Sequence, residues 1–237
     1  MSAQPEQLLD WPRRLANLAA SSRDPRLATF YRAGCPAADC PLEQLPMVAL
    51  DIETTGLDPK RHAIVSLGLV PFDLQRIRCS QSWYQVVRPS TSLHPESIAF
   101  HRITHSEIEQ APPLKAVLSE LLERLAGKLV VVHYRPIERG FLDQALRREL
   151  GEGWQFPLID TMAIEAELHP QRQPGWLLRL LGKQPISIRL ADSRSRYALP
   201  LYQSHHALTD AIATAELFQA QIATHFDPQL PVSRFWC

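Results

Sequence analysis

The sequence predicts an α/β fold, a mixed sheet flanked by helices, with a small helical appendage at the N-terminus. Three observations carry this. Three strand-like runs follow one another from Pro46, the mark of an antiparallel meander. Leu129–Val132 is a short, wholly apolar run, typical of a strand covered on both faces. Helical and strand patterns alternate after it, which builds a parallel half with helices on its faces.

Residues 1–45 read as the appendage. Leu8, Leu9, Trp11, Leu15 and Leu18 recur at helical spacing, and Asp24-Pro25 starts a second short helix through Tyr31. Gly34-Cys35-Pro36 and Pro41 end the pattern. The pair reads as a packing layer in preference to a partner-docking surface. The main domain spans 46–226, with a tail over 227–237. Its first strand is the apolar Val48-Ala49-Leu50 followed by Asp51 and Glu53, and Gly56-Leu57-Asp58-Pro59 is the turn after it. Strands are expected over His62–Val70 and Ile77–Val87. Short helical turns at Pro95–Phe100 and Ser106–Gln110 flank His101-Arg102-Ile103-Thr104. Pro113–Leu125 is an amphipathic helix, with Leu114, Val117, Leu118, Leu121, Leu122 and Leu125 on one face. Leu129–Val132 leads through His133–Pro136 into a helix over Ile137–Leu150. Phe156–Ile159 is a strand ending at Asp160-Thr161, with a helix to Leu168. Gln171–Ser204 is irregular and basic, and a last helix spans Ala207–Thr224.

Composition bounds the function. A length of 237 residues with 45% hydrophobic side chains supports one domain plus an appendage. The 25 basic and 25 acidic residues cancel, so any nucleic-acid contact must come from a local patch. Met1–Gln7 is polar and no secretory h-region follows, and no run approaches the roughly 18 apolar residues of a membrane span. Cys35, Cys40, Cys79 and Cys237 are scattered, and no second pair completes a zinc site beside Cys35 and Cys40. A cytoplasmic protein without a membrane partner is the expectation.

Asp51 and Glu53 carry the chemistry. Residues two apart on a strand share a face, so both carboxylates point the same way. Held close they repel, and one takes up a proton unless a cation neutralises them; a divalent metal with hard oxygen ligands does so. An ordinary strand end with two solvated acids is the alternative reading of these two residues alone. Three more groups line up in the chain: Glu138 near the start of the helix after the apolar strand, Asp210 on the closing helix, and His205 on the loop before it.

Asp51-Ile52-Glu53-Thr54-Thr55-Gly56, then His133 with Glu138, Phe141 and Leu142, then His205 with Asp210-Ala211 resemble the three exonuclease motifs of the DEDD superfamily. The histidine five before the last aspartate matches the DEDDh branch, which contains the epsilon subunits of bacterial polymerases. Phe100–Thr104, Ala111-Pro112 and Asp160-Thr161 resemble further segments of that family, and the likeness covers about residues 46–224. It implies a ribonuclease H-like sheet and a metal-dependent 3′→5′ exonuclease that releases nucleoside 5′-monophosphates from single-stranded 3′ ends, DNA before RNA.

Phosphodiester hydrolysis needs a hydroxide near neutral pH and a stabilised leaving oxygen, and two ions about 3.5–4 Å apart serve both. The resemblance implies that Asp51 bridges the ions, that Glu53 and Asp210 complete one site and that Glu138 serves the other. His205 would accept the proton of the attacking water. Mg²⁺ is the expected ion, with Mn²⁺ as a substitute, two per site. Thr54, Thr55 and Gly56 would meet the terminal nucleotide through backbone groups, with Leu57 wedged against it and His101 as a further contact.

The chain departs from the family at motif two, where H-N-x2-F-D is usual and His133-Tyr134-Arg135-Pro136-Ile137-Glu138 stands here. Glutamate is one methylene longer, which a water-mediated metal contact tolerates better than a direct one. A tyrosine-type relative would carry Tyr where His206 stands, so His205 is the expected base and His206 a bystander or phosphate contact. His133 reads as a structural histidine, and Asp160 as a cap on the helix that follows it. Arg172, Arg179, Lys183, Arg189, Arg194 and Arg196 either line the approach to the site or form a solvated loop. An exoribonuclease is the rival within the enzyme class, and a catalytically weak nucleic-acid-binding adaptor the rival outside it. With no long tail after the closing helix, a free-standing nuclease is expected over a polymerase subunit.

Overall fold

The computed structural model describes residues 10–89, 103–173 and 184–237. Five strands form one mixed sheet: β1 (Met47–Thr54), β2 (Ile64–Phe72), β3 (Trp83–Val86), β4 (Leu129–Val132) and β5 (Leu158–Asp160). Their order is β3-β2-β1-β4-β5, with β1 central. β1 runs antiparallel to β2 and parallel to β4, and β4 runs parallel to β5. The meander and the parallel half therefore meet on the acidic strand. The carboxyl ends of β1, β4 and β5 lie at one edge, where open α/β sheets place their sites.

Two helices, α1 (Trp11–Ser21) and α2 (Pro25–Arg32), precede the sheet. Asp10 and Asp24 cap them, accepting from Arg13 N at 3.0 Å and Arg26 N at 2.9 Å. Their Trp11, Leu15, Leu27, Phe30 and Tyr31 belong to the same buried cluster as the strands. Phe30 meets Trp154 edge-on at 5.1 Å. Leu8 and Leu9 lie outside the described residues.

Between and after the strands run α3 (His105–Gln110), α4 (Leu114–Leu125), α5 (Pro136–Leu150), α6 (Thr161–Leu168), α7 (Leu190–Arg196) and α8 (Ala207–His225). Thr104 and Glu107 cap α3 reciprocally. The apolar face of α4 is buried at all of Val117, Leu118, Leu121, Leu122 and Leu125. β4 is buried at every residue, as its unbroken apolar run requires. α8 packs along β2 and β1, with Ala211, Ala215 and Phe218 in the core.

Two expectations are corrected. Ile77–Val87 is not one strand: Asp73 accepts from the backbone of Gln75 and Arg76, each at 2.8 Å, and pairs with Arg78. That turn leaves Ile77 in an isolated bridge and Cys79–Gln81 in a 3₁₀ turn before β3. Nor is 171–204 wholly irregular, because Leu190–Arg196 is helical. The turn expected at 95–100 lies outside the described residues. Residues 227–237 pack back on the sheet, with Ile159 and Trp236 in an antiparallel bridge and Val232 fully buried.

A candidate active site at the carboxyl edge of the sheet

Asp51 and Glu53 sit near the end of β1, with the buried Ile52 between them facing the core. The register of β1 on β2 shifts between Glu53 and Thr54, which ends the regular ladder just past the acids. Asp51 pairs with Gly68 of β2, and Gly68 with Tyr84 of β3. A Cβ on Gly68 would stand 2.3 Å from the Ala207 carbonyl carbon and the Leu208 nitrogen. Only glycine lets the first turn of α8 lie this close to the sheet beside Asp51. That approach delivers Asp210 to the β1 carboxylates.

His206 caps α8, accepting from Thr209 N, and its ring stacks on Tyr84 at 4.4 Å. It is part of the scaffold. His205 is exposed and holds a left-handed backbone, φ 71°. Its N–H donates to Asp210 Oδ2 at 2.8 Å, so one acid both fixes this turn and faces Glu53. Ligating atoms of Glu53, His205 and Asp210 lie within 4.8 Å of one another.

Glu138 stands in the first turn of α5 and is 2% exposed. Its Oε2 has no hydrogen-bond partner among the described residues. The loop before it is held by Asp160, whose carboxylate accepts from Tyr134 N at 2.9 Å and Arg135 N at 3.0 Å. The same carboxylate accepts from Met162 N and Ala163 N at the start of α6. Asp160 thus caps one helix and aims the one before it. His133 pairs with the Thr161 hydroxyl at 2.8 Å, and burial lowers its pKa to about 4, which keeps it neutral.

The four acids perturb one another. Burial, then Glu53, Glu138 and Asp210, raise Asp51 well above the usual carboxylate range. Burial and Asp210 push Glu53 up to about 8. Burial raises Glu138 well, with Asp160 and Glu53 adding to it. Burial also raises Asp210, opposed by the His205 N–H bond. Four carboxyls that resist ionising beside one another, with one buried oxygen unpartnered, fit a bound dication. Their hard oxygens, with a single imidazole, suit Mg²⁺ or Mn²⁺.

The loop after β1 is built from its own polar groups. Thr54 Oγ1 donates to Gly56 O at 2.7 Å, and the buried Thr55 hydroxyl accepts from Ala63 N at 3.0 Å. Gly56 packs against the His62 ring, where a Cβ would meet it at 2.5 Å. Leu57 is 82% exposed at the tip. Arg148 of α5 donates to the carbonyls of Pro59, at 3.1 Å, and Lys60, at 2.6 Å, docking this loop on the helix that carries Glu138. His101 lies outside the described residues.

The basic run divides. Arg194 is buried and donates to Ala213 O, Pro200 O and Glu216 Oε2 at 2.6, 2.8 and 2.7 Å. Arg196 pairs with the fully buried Glu165, and Arg172 bonds Ala166 O. These contacts give Arg194 and Arg196 a part in holding the fold. Arg189 is exposed, and Arg179 and Lys183 lie outside the described residues. Sequence reasoning missed Gly68 and the bracing by Asp160 and Arg194. A lone glycine inside a strand was the available signal for the first.

The profile of the exonuclease family matches residues 48–218. The DNA polymerase III epsilon subunit of Treponema pallidum is 25% identical over 183 residues, covering 77% of this chain and 79% of that protein. The PolC-type DNA polymerase III of Thermotoga petrophila is 28% identical over 180 residues, 76% of this chain, which spans only 12% of that protein's length. Among solved structures, the nuclease domain of 3′hExo, a DEDDh family member bound to rAMP, superposes with a TM-score of 0.60. That match covers 78% of this chain and 94% of the other at 15% identity, a likeness of fold.

Proposed function

The chain belongs to the exonuclease family, as a member of its DEDDh 3′–5′ branch, and from that premise we propose that it trims single-stranded 3′ ends to nucleoside 5′-monophosphates. DNA is the proposed preferred substrate. The observation that carries this is the convergence of four mutually repelling carboxyls with His205 at one sheet edge.

Asp51, Glu53 and Asp210 would hold one divalent ion, and Glu138, with Asp51, would serve a second. When bound, the ions supply Lewis-acid stabilisation of the phosphate and its leaving oxygen and acidify the attacking water. His205 takes that water's proton; its exposed position leaves the ring able to pass the proton to solvent. The water oxygen bonds to phosphorus as the P–O3′ bond breaks. The terminal nucleotide leaves as a 5′-monophosphate, and O3′ takes a proton from solvent, so the shortened strand ends in a 3′-hydroxyl. The buried Ile52 and Thr55 anchor β1 and its turn, so the carboxylates would already stand where they hold the ions when the phosphate arrives. Thr54, Thr55 and Gly56 offer backbone groups to the terminal nucleotide, Leu57 an apolar wedge, and His101 a further contact.

The test is a time course on 5′-labelled single-stranded DNA and RNA of matched sequence, with Mg²⁺, Mn²⁺ or chelator. A metal-dependent ladder shortening from the 3′ end, lost in Asp51→Ala, is expected. Intact substrates with either metal would overturn the enzymatic reading and favour a binding module. RNA preferred over DNA would support the exoribonuclease reading, which the rAMP bound to the similar 3′hExo domain also favours.

A further inference from the structure

Tyr134 stands in a place the fold does not explain. Its backbone is left-handed, φ 80°, a conformation that disfavours a bulky side chain and suits asparagine or glycine. The turn is imposed from outside: Asp160 accepts the N–H groups of Tyr134 and Arg135, and Ile137 N bonds back to Tyr134 O at 3.1 Å. All three are backbone bonds, which asparagine would make equally well, and asparagine is the usual residue of the motif at this place. The ring gains little from the fold in return. It is 47% exposed, and its hydroxyl has no partner among the described residues.

The position is nevertheless central. Ala49 of β1 pairs with Val131 of β4, and Asp51 and His133 each follow two residues later in the chain. Tyr134 follows immediately, one helical turn before Glu138. Leu57, another exposed large apolar side chain, is carried by the loop that follows the acidic strand and that Arg148 docks on the same helix. Strain held in place by its surroundings at a site's edge points to a role outside the fold. Exposed aromatic faces beside a nuclease site have one ready use, because every nucleobase offers a π-face to stack on.

We propose that Tyr134 is a substrate-binding residue that stacks on a base of the single strand at the site. This rests on the single-stranded nucleic-acid substrate proposed above. A ring reads any base, so Tyr134 contributes affinity and leaves sequence and sugar unread. Its strain is the cost of presenting the ring, and the family's asparagine would relieve it at the expense of binding.

The two effects separate in Tyr134→Asn and Tyr134→Phe, measured by thermal unfolding and by KM and kcat on single-stranded oligonucleotides. Tyr134→Asn should melt at or above the wild-type temperature while its KM rises about 5- to 160-fold, the range that base–aromatic stacking spans, with kcat little changed. Tyr134→Phe should stay within about twofold of wild type, since the ring is kept. A series of substrates with one abasic position near the 3′ end should raise the wild-type KM at one position only, and that loss should vanish in Tyr134→Asn. A well-folded Tyr134→Asn with wild-type KM, or an abasic penalty of equal size in both proteins at every position, would overturn the proposal. Wild-type protein that cleaves single strands normally in that experiment leaves the proposed function standing while Tyr134 fails; inert wild-type protein overturns both.

Discussion

Gly68→Ala is the sharpest perturbation the fold offers, because a single methyl is set against backbone. The new Cβ would lie 2.3 Å from Ala207 C and Leu208 N and 2.4 Å from Ala207 O, against the 3.4 Å at which ordinary contact begins. No side chain can rotate away, so the first turn of α8 must retreat from β2 by about 1 Å, a shift that catalytic constellations held to about 0.5 Å do not tolerate. That turn carries Asp210 and, through its carboxylate, the His205 backbone, so both leave Glu53 together. A 1 Å misplacement costs about 10²-fold in rate. Overpacking should cost about 1–3 kcal/mol, and at about 2–4 °C per kcal/mol the melting point should fall by several degrees. The assay is initial-rate cleavage of a single strand well below the melting point, beside Gly127→Ala as a control. Gly127 has a positive φ of 69° but only ordinary contacts, the nearest at 3.6 Å, so its alanine should lose stability and keep activity. A folded Gly68→Ala with wild-type rate would refute the argument that this close approach builds the site.

Three other outcomes follow from the same geometry. His205→Asn, which tolerates the left-handed backbone, should lower kcat by about 10²–10⁴-fold with an unchanged melting curve; an unaffected kcat would exclude His205 as the base. In chelator, Glu53 holds its proton up to about pH 8 when folded but ordinarily releases it near 4.5. A carboxyl raised in this way binds its proton more tightly in the native state, so the metal-free protein should lose stability as pH rises through that window. Mg²⁺ should flatten that slope, and Glu138→Gln should lessen it while reducing activity; a pH-independent melt in chelator would count against the clustered acids. Arg194→Met removes a buried charge and strands the acceptors on Ala213, Pro200 and Glu216. It should cost about 3 kcal/mol, or roughly 10 °C by thermal unfolding, whereas a loss under about 1 kcal/mol would place Arg194 among ordinary surface pairs.

Much of this site is legible in the chain, for identifiable reasons. Strand alternation alone puts Asp51 and Glu53 on one face, and the apolar Leu129–Val132 could only be a strand buried on both sides. Glu138, His205 and Asp210 were reached through motif spacing, since their meeting with β1 is tertiary. What stayed hidden depends on contacts between distant segments. α7, Leu-Ala-Asp-Ser-Arg-Ser-Arg, has no apolar period and is held by the buried Arg194. The strand expected over 77–87 shortened because the Asp73 turn consumes its first half. Asp160 reads locally as a helix cap, and its second task, gripping the backbone of residues 134 and 135, shows only when β4 and β5 lie side by side.

Mn²⁺ titration by calorimetry, in buffers of different ionisation enthalpy at pH 7, tests the central claim that these acids form one metal site. Saturable binding of about two ions with release of protons is expected, because carboxyls this strongly raised are partly protonated before metal enters. Asp51→Asn should bind at most one ion, weakly. Saturable binding that is the same in both proteins, or none in either, would contradict it.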